Sequence, residues 1–466
     1  MLLNVIKACR GLRPASVVSA LLLLMFAANL SHAAPAGQVE FAQGLASAQQ
    51  KGQSPRFLSK GDALQEGDVL NTGAKGFAII VFPDGGKMTL RPNTTFAIDQ
   101  FNATAGQEAT VFRLLKGGLR AITGAIGKAK PEAVRINTST ATIGIRGTQF
   151  DARICDSDCA KENRGGASPK PVAADAVVAR VAVVAGSVTA VTTSKQSRVL
   201  VKGSALYTGE SIRTEKSSHV MLVFRDETRI TIASESEFSL DNVRFTGAQS
   251  DSGNFAVRLL KGTARTFTGL FAKRTASAFQ FSAGTATVGI RGTGFDTRVV
   301  RECVANKCAD FVYAQLWDGS ISLDAANQSL LIPLSRAAVF NALQNSVALL
   351  DNVPRFFADE TAPRPDQVTV DENFFGAVDI NGAPAGLYVN VRDGHVVFIG
   401  ANNRSVDLGR AEAGFLADGS NSPARLTRVP GFMTNDPIPA PENFDEKTLR
   451  LLETLGDSSG GLICEM

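Results

Sequence analysis

Short apolar runs followed by alternating segments recur along this chain. Phe77–Phe82 (FAIIVF) and Val220–Phe224 (VMLVF) each end at a turn, which contains Asp84 in one case and Asp226 in the other. Lys87–Arg91 and Arg229–Ile232 then alternate polar and apolar residues. Five or six apolar residues bounded by turn signals predict a buried strand, and period two predicts a half-buried one. Gly returns mostly at strand ends, so strands are short and turns many. Three stretches depart from this pattern. Val17–Ala28 is a continuous apolar run, and Ala337–Asn352 has helical spacing, followed by Pro354, Pro363 and Pro365. Phe444–Leu455 places Phe444, Leu451, Leu452 and Leu455 on one helical face, with Gly456 set to cap it.

The apolar run follows Lys7, Arg10 and Arg13 and precedes Ser31-His32-Ala33. A basic region, an apolar stretch of about twelve and small residues predict a secretory signal peptide over residues 1–34, cleaved after Ala33 or Ala34. The run falls short of the roughly 20 residues that span a bilayer. No later run is apolar for 18 residues, so no transmembrane segment is expected in the mature chain. Lys+Arg number 48 and Asp+Glu 44, and three of the basic residues lie in the leader. The mature chain is thus nearly neutral, which argues against nucleic acid, since that affinity rests on clustered positive charge. The expected location is periplasmic, or secreted and on the cell surface.

A duplication organises the 466 residues. Thr140–Asp151 reads TATIGIRGTQFD and Thr285–Asp296 reads TATVGIRGTGFD, with ten of twelve positions identical. The same spacing links Phe112–Gly117 to Val257–Gly262. Upstream, Leu58–Gly67 matches Leu200–Gly209, Val81–Asp84 matches Val223–Asp226, and Phe96–Asp99 matches Phe238–Asp241. A smaller unit also recurs. Gly186-Ser-Val188, Asp318-Gly-Ser-Ile321 and Asp393-Gly-His-Val396 each precede a second apolar segment, as a strand, turn and returning strand would. The fold class is mainly β: two tandem domains, solenoid-like or sandwich-like, then a further β segment and a C-terminal helix. The expected boundaries are 35–180 and 181–336 for the two copies, 337–385 for a helix and Pro-containing linker, and 386–466 for the β segment and helix.

Candidate chemistry is sparse. His occurs three times, and the mature chain keeps His219 and His395. The first copy holds neither, so no His-dependent site is shared by the two copies. Cys155 and Cys159, and Cys303 and Cys308, are close pairs that read as local disulfides in an oxidising compartment. Zinc spacing is missing, no metal or other cofactor is implied, and Cys464 is expected as a free thiol. Arg146-Gly147-Thr148 and Arg291-Gly292-Thr293 lie within apolar β sequence. They are read as structural, with Arg holding a neighbouring strand through Asp151 and Asp296 or Asp84 and Asp226, and Gly allowing a tight bend. Asp84 and Asp226 are read as turn residues bound to local backbone. Trp317 in the Trp-Asp-Gly turn reads as a packed hairpin aromatic, with stacking on a sugar as the alternative.

In each copy a Lys-Gly-x-x-Leu-x-x-Gly-Asp/Glu block (Gly61 to Asp68, Gly203 to Glu210) comes first. Val-Phe-x-Asp, Leu-Leu-Lys-Gly and Thr-Ala-Thr-x-Gly-Ile-Arg-Gly-Thr follow in order. This succession resembles the FecR domain family over about Gly37–Arg153 and Val181–Leu334. The resemblance implies a mostly β module outside the cytoplasmic membrane of a Gram-negative bacterium. Founding members relay a signal from an outer-membrane iron-siderophore receptor to a cytoplasmic sigma factor, through an anti-sigma segment and a transmembrane helix. Here a signal peptide opens the chain and the domain is doubled. The expectation is therefore an exported, non-enzymatic binding or sensing module whose partner is an envelope protein or polysaccharide. The alternatives are a structural or adhesive surface protein, and a polysaccharide hydrolase acting through carboxylates such as Asp84 and Asp226.

Overall fold

The computed structural model describes residues 34–163, 170–171, 177–246, 252–274, 278–290, 292–304, 307–370, 374–434, 438–439 and 441. Residues 1–33 of the expected signal peptide, the expected helix Phe444–Leu455 and Cys464 lie outside the described residues.

The second copy shows the plan most simply. Seventeen strands run from Ala179 to Leu349 in two layers that share the long strand Ser252–Phe267. The first part of that strand pairs with Glu237–Thr246 and, in parallel, with Phe279–Ala283. Its second part pairs with Arg229–Ile232 and Gly294–Val304. Alternate side chains turn inward in strands such as Phe279–Ala283 and Ile321–Ala325, because successive residues of a strand point to opposite faces, whereas His219–Phe224 is buried on both. One core cluster takes residues from both layers, with Phe224, Phe238, Phe255, Phe281 and Phe295 fully buried. The sheets form no closed barrel. Strand pairs are added one after another, so the module has two ends. Among the described residues Gln328–Ile332 pairs only with Ile321–Ala325, and Ser346–Leu349 only with Ala337–Asn341.

The first copy follows this plan only as far as Cys155. Its last long strand, Ala141–Cys155, pairs with Gly386–Gly400, from Ala141 opposite Gly400 to Cys155 opposite Gly386. Ser405–Gly409 and Ala413–Ala417 then pair with the returning strand. In the second copy the equivalent positions are filled from within, by Lys307–Asp318, Ile321–Ala325, Gln328–Ile332 and Ala337–Asn341. Val389, Val391, Val396, Phe398, Leu408 and Leu416 share one core cluster with Phe96, Leu114 and Phe150. Segment 386–425 is therefore the end of the first copy, and the second copy is inserted between Cys155 and Gly386. The sequence carries the trace of this: Pro354-Arg-Phe-Phe357 recurs as Pro430-Gly-Phe-Met433, and Pro363-x-Pro365 as Pro439-x-Pro441.

Two expectations are corrected. Ala337–Asn352 is not helical: Ala337–Asn341 and Ser346–Leu349 form a hairpin, the first strand laid on Phe311–Gln315. A short apolar run such as Ala337–Phe340 fits either period when read alone, and the ladder it joins decides. Segment 386–466 is also not a separate unit, since residues 386–425 complete the sheet and core of the first copy, which therefore does carry a histidine, His395. After the hairpin, Arg355–Ala358 forms a short helix and Pro365–Gln367 a 3-10 turn that pack along the second copy. Among the described residues no helix is long and apolar enough to cross a membrane.

Candidate functional site

Asp84 and Asp226 occupy equivalent turns, one in each copy. Asp226 is fully buried and accepts hydrogen bonds from the Thr228 amide at 3.1 Å and the Thr228 hydroxyl at 2.7 Å. Burial pushes its carboxyl up to about 6, against the pull of those donors. Asp84 is half-buried and accepts from the Gly86 amide at 3.0 Å. The Asp84 carbonyl accepts from Ala125, and the Asp226 carbonyl from Leu270, so each residue also anchors the short helix beyond it, Ala125–Ala129 or Leu270–Arg274. Each carboxylate is bound to backbone of its own copy, and Asp84 also accepts from the Ile126 amide at 3.4 Å.

The strongest charged centres use other partners. In the second copy, Asp296 accepts from the Arg265 Nε at 3.3 Å and the Trp317 Nε1 at 3.0 Å. Burial raises the Asp296 pKa, while Arg265 and Trp317 oppose that rise. In the first copy, Asp151 accepts from the Arg120 Nε at 3.0 Å, the Arg392 Nε at 2.9 Å and the Asn390 amide at 3.1 Å. Arg120 and Arg265 are the same position of the repeat, and so are Asp151 and Asp296. Each arginine also holds a strap that crosses the sheet: Arg265 donates to the Ala362 carbonyl at 2.9 Å, and Arg120 to the Ile438 carbonyl. Trp317 lies parallel to the Phe267 ring, and the Arg364 guanidinium sits 4.1 Å from its ring centre. The indole is thus occupied by its own chain, as a packed hairpin aromatic. The repeated Arg56–Asp68 and Arg198–Glu210 pairs are further centres at the start of each copy. Arg56, Arg120, Arg198 and Arg265 escaped motif reading because each stands outside the identical blocks; their spacing within the repeat is the signal that finds them.

The backbone of Arg146-Gly147-Thr148 lies at a break in register with Gly386–Gly400, between Arg146 and Gln149. The side chains of Arg146 and Thr148, and all of Arg291, lie outside the described residues. Gly292 turns with a φ of 66°, and the Thr293 amide and carbonyl bond to Thr268. Gly294 lies beneath Trp317, where a Cβ would stand 2.0 Å from the indole. The motif therefore marks a tight bend in the second copy. Asp151 and Asp296 are engaged by Arg120 and Arg265. Both cysteine pairs are bridged, Cys155–Cys159 beside the point of insertion and Cys303–Cys308 across the tip of the equivalent hairpin.

A buried triad joins the two copies. The Arg180 Nη2 donates to Glu412 at 2.6 Å, and the Arg425 Nε lies 3.4 Å from the same carboxylate. Burial opposes charge on Glu412, yet Arg180, Arg425 and the Gly409 amide hold its carboxyl below the usual range. Burial and the neighbouring Arg180 bring Arg425 down to about 10. His395 bonds Asp407 at 3.0 Å on the same side. Among the described residues no three His, Cys, Asp or Glu stand together as a metal site. A polar cleft of about 430 Å³, lined by Gln100, Glu108, Lys130, Glu132 and Arg135, opens beside the strand Ala109–Lys116.

The fold and these repeated centres define a doubled, two-layered β module. The FecR protein family model matches residues 68–189 and 210–320, and the chain belongs to the FecR family. No curated protein matches it. Two crystal structures of a "putative anti-sigma factor" from Parabacteroides distasonis ATCC 8503, at 1.65 and 2.50 Å, are similar at 12% identity and a TM-score of 0.24. The alignment covers 32% of this chain and 62% of theirs, less than two thirds of their length.

Proposed function

We propose that this FecR protein is exported and acts without catalysis, binding or sensing a protein or polysaccharide of the cell envelope. The observation that carries the reading is the pair of bridges, Cys155–Cys159 and Cys303–Cys308, in a chain built from two FecR modules. Disulfides persist in oxidising compartments, and the leader-like first 34 residues favour the same address. The use of Asp84, Asp151, Asp226 and Asp296 to hold backbone or arginine supports recognition over polysaccharide hydrolysis. Cell fractionation combined with in-cell crosslinking tests this. Recovery in the periplasm or on the surface, joined to an envelope component, is expected. Recovery in the cytoplasm, or no envelope adduct, would overturn it. A glycan-cleaving activity lost in the Asp84→Asn, Asp226→Asn double variant would favour the hydrolase instead.

A further inference from the structure

The joint between the two copies is a template for the two ends of the molecule. At the joint, the turn that follows Ser405–Gly409 seats on the first strands of the second copy. The Tyr207 hydroxyl donates to the Arg410 carbonyl at 3.2 Å, and the Arg410 guanidinium lies 4.8 Å from the Tyr207 ring centre. Arg180 donates to the Gly203 carbonyl at 3.1 Å and to the Asp407 carbonyl at 3.3 Å. A Cβ on Gly203 would fall 1.9 Å from Asp407, so the fit is close.

Both halves of this joint occur again, each without such a neighbour among the described residues. The seating turn Gly409–Glu412 corresponds to Pro333–Arg336 at the far end of the second copy. Residues 411 and 335 there share a positive φ of 64° and 61°. The receiving segment Gly203–Tyr207 corresponds to Gly61–Gln65 at the near end of the first copy. The Gln38 side-chain amide donates to the Gly61 carbonyl at 3.0 Å, where Arg180 serves Gly203. Burial separates the two situations. Gly203, Ala205, Tyr207, Gly409 and Glu412 are buried at the joint, whereas Gly61, Ala63, Pro333, Leu334 and Arg336 are exposed.

The chemistry of the open ends matches as well. At the joint Arg180 is a buried cation and requires Glu412. At the open end Gln38 is neutral, and the far turn has no acid: Leu331 replaces Asp407 and Leu334 replaces Arg410. These two leucines are 65% and 60% exposed. From Ala325 to Leu350 the only charged residue is Arg336. A sheet end with two exposed leucines and a single charge, Arg336, is an association site unless something covers it.

We infer that the far end of one molecule seats on the near end of another, placing Pro333–Arg336 against Gly61–Gln65 as Gly409–Glu412 sits against Gly203–Tyr207. The contact is heterologous, so it continues head to tail rather than closing a two-fold dimer. It does not depend on cellular address or on any envelope partner, and purified protein lacking the leader tests it. Sedimentation velocity from about 1 to 200 µM should show a concentration-dependent series. Leu331→Asp with Leu334→Asp blocks one end, and Ala63→Arg blocks the other. Each variant alone should remain monomeric, with self-association weakened at least tenfold. Mixed in equal amounts they should form dimers and nothing larger, since each retains one intact end. The milder Leu334→Ser serves if the double aspartate variant melts earlier than the parent. A parent chain that stays monomeric throughout, a dimer that survives either variant, or a mixture that stays monomeric would overturn the inference.

Discussion

The two copies share motifs and a core plan, yet only the second is made from one continuous stretch of chain. In the second, the hairpin Gly294–Asp318 turns at Cys303–Cys308 and supplies its own last strands. In the first, the equivalent hairpin is cut at its tip and the whole second copy is spliced in, so Ala141–Cys155 waits for Gly386–Gly400. A hairpin tip is exposed and its two ends are neighbours, which is where an inserted domain disturbs least. The difference shows that a repeat in sequence need not be a repeat in connectivity.

The largest test of this comparison is to cut the chain after residue 370. Removing the returning segment takes Val389, Val391, Val396, Phe398, Leu408 and Leu416 from the first core. At about 1.5–3 kcal/mol for each buried side chain, the loss matches or exceeds the stability of a typical domain. The first copy should lose its cooperative unfolding and become protease-sensitive, while the second keeps its own melting transition. Two surviving transitions in calorimetry would mean that the first copy is autonomous after all.

A smaller effect probes the coordinated exchange beside the buried aspartates. Where the second copy has Gly294 under Trp317, the first has Gln149 and Arg392. Gly294→Gln should cost about 3 kcal/mol by overpacking against the indole. Adding Trp317→Arg should recover about 2 kcal/mol of that, read as coupling in denaturant titrations. Purely additive costs would show that the two positions do not sense each other.

The smallest expected effect separates Asp226 from Asp84. A carboxyl near its usual value when unfolded and near 6 when folded keeps its proton longer in the native state. Between about pH 4 and 6 the unfolded chain therefore binds fewer protons, and stability falls as pH rises, by about 2 kcal/mol across the window. Asp226→Asn should reduce this slope in the melting transition of the second copy, leaving the part that belongs to Asp296, whose carboxyl burial also raises, and Asp84→Asn should leave the slope in place. An unchanged slope in the Asp226 variant would assign it to another group. The cores also differ in packing. Phe271 and Phe279 are buried in the second copy, whereas the equivalent Ile126 and Val134 are smaller. Val134 there lines a cavity of about 30 Å³ with Phe82, Phe112 and Phe150.

Much of this was legible in residue order. The β class, the duplication, the family and both cysteine pairs followed from local runs and from blocks that repeat at constant spacing, because such signals need no knowledge of distant partners. Asp84 and Asp226 belong to this class only in part: their bonds to Gly86 and Thr228 are local, whereas their carbonyls hold Ala125 and Leu270 in helices far along the chain. The strands Ala337–Asn341 and Ser346–Leu349 read as helix in residue order because a short apolar run satisfies either period until a ladder selects one. The Arg120–Asp151 and Arg265–Asp296 centres, with the straps they hold at Ile438 and Ala362, pair residues about thirty to several hundred positions apart, which no local pattern joins.

What the sequence determined by itself was therefore the composition of the modules: which runs become strands, where they turn, and that one plan was used twice. Only the tertiary structure decided which strands belong to which copy. Strand pairing is a long-range bond between backbones that are chemically alike, so Ala141–Cys155 can be completed by a neighbour or by a segment more than two hundred residues away. The choice is made by the core that Phe150, Val389 and Phe398 close together, and by the buried Arg180–Glu412 pair that locks the inserted copy in place.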